Sequence, residues 1–263
     1  MLVDYHMHLR AHGSASEELD HTAEAVERYV EQARERGVDE IGITEHVYYF
    51  RETRDYWSLP YQLERSRAVL DRYCDAVLEA KNRGLPVKLG LEVDWVPERA
   101  DELAEVLEPY PWDYLIGSVH WIGGLAFDQK PGLWAGSTVE EVWALYAREL
   151  EAAARSGHFD VLAHPDLVKI FGDRVDWDWQ PVIDALDGVA LEVSTAGLHK
   201  PVAELYPDAS LLRGAKGITL ASDAHRAEDV GRDFGAAVEH ARAAGFETVT
   251  VFDGRSSRQK PLG

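Results

Sequence analysis

Side chains of the kinds that bind transition metals follow short apolar runs at intervals along this chain. The first two, His6 and His8, end the run that begins at Leu2. Others follow comparable runs further on: His46, Glu92, His120, His164, Asp223 and His225. One such pair would be a weak indication. A repeated pattern of this kind predicts parallel strands whose carboxyl ends converge on a metal cluster.

The spacing and chemistry of these residues favour a site for several cations. Residues i and i+2 of a strand point to the same face, so His6 and His8 can bind one ion, as can Asp223 and His225. Glu92 has two carboxylate oxygens and could bridge two ions. Nitrogen and oxygen donors in this mixture suit zinc, manganese or iron better than calcium or magnesium. Neighbouring divalent ions activate water and neutralise phosphoryl oxygens, so phosphoester hydrolysis is the first hypothesis.

Composition and motifs argue against other classes of protein. There is no Gly-x-Ser-x-Gly nucleophile motif and no glycine-rich phosphate loop. Cys74 is the only cysteine, which excludes an intrachain disulfide and a thiolate metal site. The formal charge of −20 argues against nucleic acid or an anionic membrane as partner. Bound divalent ions could still reverse the sign locally for a small anionic substrate.

No apolar stretch approaches the roughly 20 residues needed to span a bilayer, and no secretory signal precedes the first strand. Cytoplasmic residence is therefore expected.

Strand and helix patterns alternate along the 263 residues, which predicts an α/β protein with a parallel sheet in a single domain, 1–254, followed by a C-terminal tail, 255–263. The length is close to the roughly 250 residues of a typical (β/α) barrel. The predicted strands are 2–5, 39–44, 87–91, 114–119 and runs near Val161, Ala190 and Thr219, with an eighth strand-like run at 248–252 that could pair at the edge. The predicted helices are 22–36, 60–83, 98–107, 138–155, 179–186, 202–213 and 227–244.

The metal motifs, taken in order, resemble those of the PHP (polymerase and histidinol phosphatase) superfamily. They are Met7-His8, Thr44-Glu45-His46, Gly90-Leu91-Glu92, Gly117-Ser118-Val119-His120, Ala163-His164-Pro165-Asp166 and Ser222-Asp223-Ala224-His225. The segments His12-Gly13-Ser14 and 194–201 resemble the histidinol-phosphate phosphatase branch in particular. The resemblance implies a distorted, TIM-like seven-stranded (β/α)7 barrel. It also implies three divalent metal ions, which would be zinc, manganese or iron.

The resemblance also implies how the ligands divide among the ions. The first ion would be held by His6, His8, Glu92 and Asp223, the second by Glu92, His120 and His164, and the third by His12, His46 and His225. If His12 does not reach the third ion, Glu17 or Asp20 could replace it. Glu92, Asp223 and His225 are also the expected catalytic residues. The remaining histidines, His21, His158 and His240, are expected to be structural or exposed.

The expected substrate is a small phosphomonoester, most specifically L-histidinol phosphate, hydrolysed as a step of histidine biosynthesis. Phosphatases of this branch usually carry an arginine where this chain has His199, and histidine cannot reproduce its bidentate grip on phosphate. Lys169, Lys200 or Arg226 could supply the missing cation. Trp121 and Trp95, or residues 48–50, could line a pocket for an imidazole ring. The alternatives are another small phosphomonoester or nucleotide, and a non-catalytic metal-stabilised scaffold.

Overall fold

The computed structural model describes residues 1–11, 18–129 and 136–263 and shows an α/β architecture. The strands of these residues are β1 Val3–Asp4, β2 Glu40–Ile43, β3 Val87–Leu89, β4 Glu92–Asp94, β5 Ile116–Ser118, β6 Trp121–Ile122, β7 Leu125–Ala126, β8 Val161–Leu162, β9 Ala190–Ser194, β10 Ile218–Ala221, β11 Thr248–Asp253 and β12 Ser256–Pro261. The α-helices are α1 Ala23–Glu35, α2 Pro60–Arg65, α3 Leu70–Asn82, α4 Ala100–Leu107, α5 Val139–Arg155, α6 Gln180–Ala185, α7 Ala209–Leu212 and α8 Phe234–Ala243.

Two parallel sheets form the centre of the fold. One has the order β1-β2-β3 and the other β10-β9-β8-β5-β4. Isolated backbone bonds join their edges: Tyr5 donates to the Leu220 carbonyl at 3.0 Å, and Glu92 donates to the Glu45 carbonyl at 3.0 Å. The α/β single-domain class and the seven predicted parallel strands are therefore confirmed. The strand order gives two sheets, however, so the closed barrel stays a prediction.

Several helices follow the sequence prediction closely. The Thr22 hydroxyl accepts a hydrogen bond from the Ala25 amide and so caps α1. Thr138 and Glu141 form a reciprocal capping box at the start of α5. One face of α5, which includes Trp143 and Tyr146, is buried. Both helices begin directly after a capping threonine, close to where the sequence analysis places their starts.

Other helices are shorter than predicted because long-range contacts occupy part of the segment. The predicted helix 60–83 is two helices, since the Ser66 hydroxyl donates to the Tyr48 and Gln62 carbonyls between them. The predicted helix 202–213 is reduced to α7, because the backbone of Tyr206 exchanges hydrogen bonds with Ser194 in β9. The predicted helix 227–244 is reduced to α8.

The C-terminal segment is a correction to the sequence prediction. Residues 255–263, expected as a tail, contain β12, which pairs antiparallel with β11. The predicted run 248–252 is thus one strand of a hairpin, and it adds no strand to either parallel sheet. The Phe252 ring in this hairpin lies 5.4 Å from the Tyr114 ring and 6.2 Å from the Tyr5 ring. The hairpin therefore covers aromatic core residues of the strands. Among the described helices, none is long and apolar enough to cross a membrane.

Tyr114 packs against one face of the first sheet. The side chain is fully buried and its hydroxyl donates to the Tyr5 carbonyl at 2.7 Å. A Cβ atom built on Gly42 would lie 1.9 Å from the Tyr114 Oη, and one on Gly90 would lie 2.8 Å from the Tyr114 Cζ. Glycine is required at both positions because the ring packs directly against the backbone.

We expect Gly42→Ala to destabilise the protein by about 1–3 kcal/mol, because the added methyl group overpacks a core that cannot expand without moving Tyr114. Gly235→Ala is the control, since Gly235 is exposed in α8 and a Cβ there meets nothing within 4 Å. The control should be neutral or stabilising by up to about 1 kcal/mol. Urea denaturation monitored by tryptophan fluorescence measures both changes. Equal midpoints for the two variants would contradict the packing argument.

Candidate metal centre

The predicted ligands meet at one end of the two sheets. His6 and His8 follow β1, and the His8 amide donates to the Ala224 carbonyl at 2.8 Å, which holds it beside Asp223 and His225. His46 follows β2 and forms a backbone bridge with Glu92 at the start of β4. The remaining two, His120 and His164, lie two residues beyond the ends of β5 and β8. Parallel strands therefore carry these side chains to a common edge.

The Glu92 carboxylate lies at the centre of this cluster and is completely buried. Both of its oxygens face imidazole nitrogens. Oε2 lies 2.5 Å from His46 Nδ1, 3.4 Å from His6 Nε2 and 3.7 Å from His8 Nε2, and Oε1 lies 3.3 Å from His164 Nε2 and 3.5 Å from His120 Nε2. One carboxylate thus contacts the side chains that the resemblance divides among separate ions.

The Asp223 carboxylate is a second negatively charged group, near the opening of the cluster. Its Oδ1 lies 3.4 Å from His8 Nε2, 3.6 Å from His6 Nε2 and 3.6 Å from His225 Nδ1. The backbone of Asp223 has φ of 51° and that of His164 has φ of 27°. Non-glycine residues in this left-handed region are strained, and such strain is typical of functional sites.

The donor atoms fit divalent metal ions. Within the described cluster, several buried side-chain atoms have no partner with hydrogen-bond geometry, including His6 Nε2, both nitrogens of His8, His46 Nδ1 and Glu92 Oε2. Buried lone pairs without partners cost free energy, and a cation between them would remove that cost. Converging donor atoms, all within 4.8 Å of one another, form four groups: His8, His46 and His225; His6, Glu92 and His164; His6, His8 and Asp223; and His46, Glu92 and His120.

This grouping overlaps with the division implied by the sequence but differs from it at several positions. His164 groups with His6 and Glu92, while His120 groups with His46 and Glu92. His8 completes the group of His46 and His225, where the resemblance implies His12. His12 and its possible replacement Glu17 lie outside the described residues. The other replacement, Asp20, is bound to Thr22 and Arg28 at 2.8 Å each. Metal binding by the whole set stays a prediction.

Electrostatics keep the central carboxylates ionised. Burial raises the pKa of Glu92, but the surrounding histidines outweigh it and hold that pKa well below its usual value. The same balance of burial and histidines holds the pKa of Asp223 well below its usual value. Burial lowers the pKa of His120, but the carboxylates of Glu92 and Asp94 raise it to about 10. Glu92 and Asp223 therefore give the cluster negative charge that protons or metal cations must neutralise.

Two carboxylates outside the cluster orient its imidazoles. Glu192 Oε2 lies 2.8 Å from His6 Nδ1, and Asp94 Oδ1 lies 2.8 Å from His120 Nδ1. Each contact occupies Nδ1 and directs Nε2 toward Glu92, which is the usual arrangement behind metal-binding histidines. The sequence analysis missed both residues. Two sequence features could have revealed them. Glu192 is the single charged residue of the apolar strand β9, and Asp94 lies two positions after Glu92 on the same strand face.

A third missed carboxylate, Glu45, lies between His8 and the surrounding chain. It is completely buried, and it lies 3.5 Å from His8 Nδ1 and 3.4 Å from Arg10 Nη1. His21, expected to be structural or exposed, contributes an Nε2 that lies 3.4 Å from Glu45. Residues adjacent to the predicted ligands thus form a buried charge network beneath them.

A cavity of about 230 Å³ opens onto the cluster. Of the predicted substrate contacts, Lys200 and Trp121 line it, together with Tyr48, Tyr49 and Tyr61. The Trp121 indole donates to Asp94 Oδ1 at 2.8 Å, which fixes the ring at the cavity wall. Phe50 and Trp95 are not among the lining residues, and the Trp95 indole donates to Glu149 instead.

The other predicted substrate contacts lie elsewhere. Lys169 is buried and pairs with Asp166 at 2.7 Å and Asp208 at 2.5 Å. His199 Nε2 lies 2.7 Å from Asp233 Oδ2. Arg226 is exposed and is not among the residues that line the cavity. Lys200 is therefore the predicted cationic side chain that the structure brings to the cavity.

Residues 6–196 match the PHP domain family, and the chain belongs to that family. A probable histidinol-phosphatase of Deinococcus radiodurans is 36% identical, over 95% of this chain and 96% of its own. The histidinol-phosphatase of Bacillus subtilis is 28% identical, over 82% and 92% respectively. The crystal structure of histidinol phosphate phosphatase from Lactococcus lactis, complexed with zinc, L-histidinol and phosphate, superposes with a TM-score of 0.74 at 25% identity and covers 98% of each chain.

We expect Glu192→Gln to weaken metal binding about 10- to 100-fold, because His6 loses the carboxylate that orients its ring. Glu239→Gln, an exposed residue of α8, is the matched control and should bind metal as the unchanged protein does. Competition with a chromophoric chelator measures the affinities, and circular dichroism checks the fold. Unchanged metal affinity in Glu192→Gln would show that the contact with His6 has no part in holding metal.

Proposed function

We propose that this protein is a metal-dependent phosphomonoesterase that hydrolyses L-histidinol phosphate to L-histidinol and phosphate in histidine biosynthesis. The observation that carries the proposal is the convergence of five imidazoles on the buried Glu92 carboxylate at the base of a small cavity. The relatives named as histidinol-phosphatases over nearly the full chain support the substrate. The zinc, histidinol and phosphate of the Lactococcus lactis structure support the same reaction.

The proposed complement is three divalent ions of zinc, manganese or iron. His6, His8 and Asp223 would hold one with Glu92 Oε2, and Glu92 Oε1 would share a second with His120 and His164. His46 and His225 would hold the third, with His12 or His8 completing the set. When bound, such ions supply Lewis acidity toward phosphoryl oxygens and lower the pKa of a coordinated water.

The side chains at the cavity have distinct proposed roles in hydrolysis. A water molecule attacks phosphorus in line with the leaving alcohol, and the bond between phosphorus and the alcohol oxygen breaks. Asp223 accepts a hydrogen bond from this water and orients it. The leaving oxygen takes up a proton from water at the opening of the cavity, because His225 would be engaged with the third ion and burial lowers its pKa to about 4. Lys200 adds positive charge beside the phosphate.

One observation favours a second candidate, a phosphatase for another small phosphomonoester or a nucleotide. His199, which stands where this branch usually has arginine, pairs with Asp233 and does not line the cavity. The phosphate grip therefore differs from the usual one. A non-catalytic scaffold is less well supported, since every ligand within the described residues reaches the cluster. Cytoplasmic residence and the lack of nucleic-acid or membrane partners stay predictions.

We expect phosphate release from L-histidinol phosphate to disappear after metal removal and to return with manganese, zinc or iron, because anionic ligands alone repel the phosphate. The measurement compares this substrate with a panel of small phosphomonoesters under each metal. A preference for L-histidinol phosphate supports the specific assignment. Equal rates across the panel would leave only the phosphatase class, and no rate with any metal would favour the scaffold.

We expect Lys200→Ala to raise KM for L-histidinol phosphate about 10-fold, because one charge-assisted contact to phosphate is lost. Metal content should not change, since Lys200 contacts none of the ligand groups. Lys216→Ala is the control, because Lys216 is an exposed lysine paired with Asp187 at the surface. Steady-state kinetics on both variants separate the effects. An unchanged KM in Lys200→Ala would remove this residue from phosphate binding.

A further inference from the structure

The β6–β7 hairpin returns the chain to the metal cluster and places Asp128 in the cavity. Its turn is made by Gly123 and Gly124, whose φ values of 56° and 79° suit glycine. After β7 the Phe127 amide donates to the His120 carbonyl at 3.3 Å. The Phe127 side chain is buried, with its ring 5.4 Å from that of Tyr146. The buried ring anchors the segment, and the next residue, Asp128, lines the cavity.

The carboxylate of Asp128 has an unused oxygen. Oδ1 is buried and accepts no hydrogen bond from any residue that the structure describes. Oδ2 accepts a hydrogen bond from the side-chain amide of the exposed Gln129 at 3.2 Å. A buried, unpaired carboxylate oxygen costs free energy until a donor reaches it.

Asp128 is not one of the converging metal donors. The described residues whose donor atoms lie within 4.8 Å of one another are the histidines, Glu92 and Asp223, and Asp128 is in none of their groups. A molecule bound in the cavity can supply a partner for its free oxygen. A bound molecule that carries a hydrogen-bond donor and a positive charge would suit this oxygen best.

The walls around Asp128 are aromatic. The Tyr61 ring lies 6.0 Å from the Trp121 ring and 5.8 Å from the Tyr48 ring, and these three side chains line the same cavity. Aromatic faces bind flat rings by stacking and attract cations through their electron-rich surfaces. A carboxylate beside such faces is the usual chemistry of a site for an organic cation.

We propose that Asp128 recognises the positively charged end of the substrate by accepting a hydrogen bond from its primary ammonium group at Oδ1. The inference rests on the proposed function and deepens it, because it assigns one side chain to the amino group of the substrate. The metal cluster and Lys200 serve the phosphate, while Asp128 and the aromatic walls serve the organic part. Asp128 is thus a specificity-determining residue that contacts substrate without taking part in bond breaking.

Selectivity arises because an uncharged substrate would leave Asp128 without a hydrogen-bond donor. A phosphomonoester of a neutral alcohol would bury Asp128 Oδ1 without supplying a donor, so the cavity penalises it. An ammonium group pairs with the carboxylate in a cavity that excludes much of the water, where the attraction exceeds that in bulk solvent. The preference should therefore depend on this one carboxylate.

The test compares Asp128→Asn with the unchanged, metal-loaded protein on two substrates. One is L-histidinol phosphate, and the other is the same molecule without its amino group. The unchanged protein should prefer the amino substrate. In Asp128→Asn, KM for L-histidinol phosphate should rise about 10- to 100-fold, with little change in kcat and none in metal content. KM for the deaminated substrate should not change.

Product inhibition provides a second measurement on the same variant. Inhibition by L-histidinol should weaken as KM rises, while inhibition by inorganic phosphate should stay the same. Asp128→Glu keeps the charge and should recover part of the affinity. Asp176→Asn is the control, since Asp176 is exposed and does not line the cavity.

Three results would overturn the inference: equal losses on both substrates, loss of bound metal, or an unchanged KM in Asp128→Asn. Failure of the proposed function is a separate outcome, in which the unchanged protein releases phosphate from neither substrate. In that case calorimetric titration of L-histidinol into the zinc-loaded protein decides the inference by itself. Equal binding by the unchanged protein and Asp128→Asn would then refute it.

Discussion

The buried carboxylate of Glu92 is the constraint on which the site depends. A carboxylate without solvent contact is stable only if positive charge or hydrogen-bond donors surround it. Here the surrounding groups are five imidazoles from four separate segments of the chain. Two of these rings, those of His6 and His120, are held from behind by Glu192 and Asp94, which restrains their rotation away from Glu92. Metal cations neutralise such a cluster better than protons because each cation contacts several donors at once.

The backbone explains how so many donors reach one carboxylate. Short parallel strands end at the same edge, and backbone bonds between Tyr5 and Leu220 and between Glu92 and Glu45 bring the edges of the two sheets together. Tyr114 packs on the face of the first sheet against Gly42 and Gly90. Backbone hydrogen bonds set the separation of the strands, and this separation limits the distances among the ligands. His164 and Asp223 have positive φ values, so their side chains leave the backbone in directions that regular strand geometry does not allow.

In the proposed reaction, the cavity has a part for phosphate and a part for the organic group. The metal donors and Lys200 form the first, while Asp128, Tyr61 and Trp121 form the second. A net charge of −20 is compatible with a phosphorylated substrate only because this first part becomes cationic when metal is bound. The second part keeps its negative charge. A substrate that is anionic at one end and cationic at the other matches both.

The sequence by itself determined the α/β class, the order of the strands along the chain and the residues that converge on the cluster. Metal ligands follow strand ends, and the periodicity of strands and helices is a local property that any reader of the sequence can measure. Helices α1 and α5 were equally accessible, because Thr22 and Thr138 mark their beginnings. By contrast, the shortening of helices near Ser66 and Tyr206 depends on contacts with distant backbone.

The tertiary structure alone decided which polar residues face the cluster. Glu192, Asp94 and Glu45 look like ordinary acidic residues until the strands place them beside histidines. Lys169 and Lys200 are equivalent in sequence, yet one is buried against Asp166 and Asp208 and the other reaches the cavity. The sequence specifies which groups are available. Their direction depends on long-range packing, because a side chain's partners are set by segments far away in the chain.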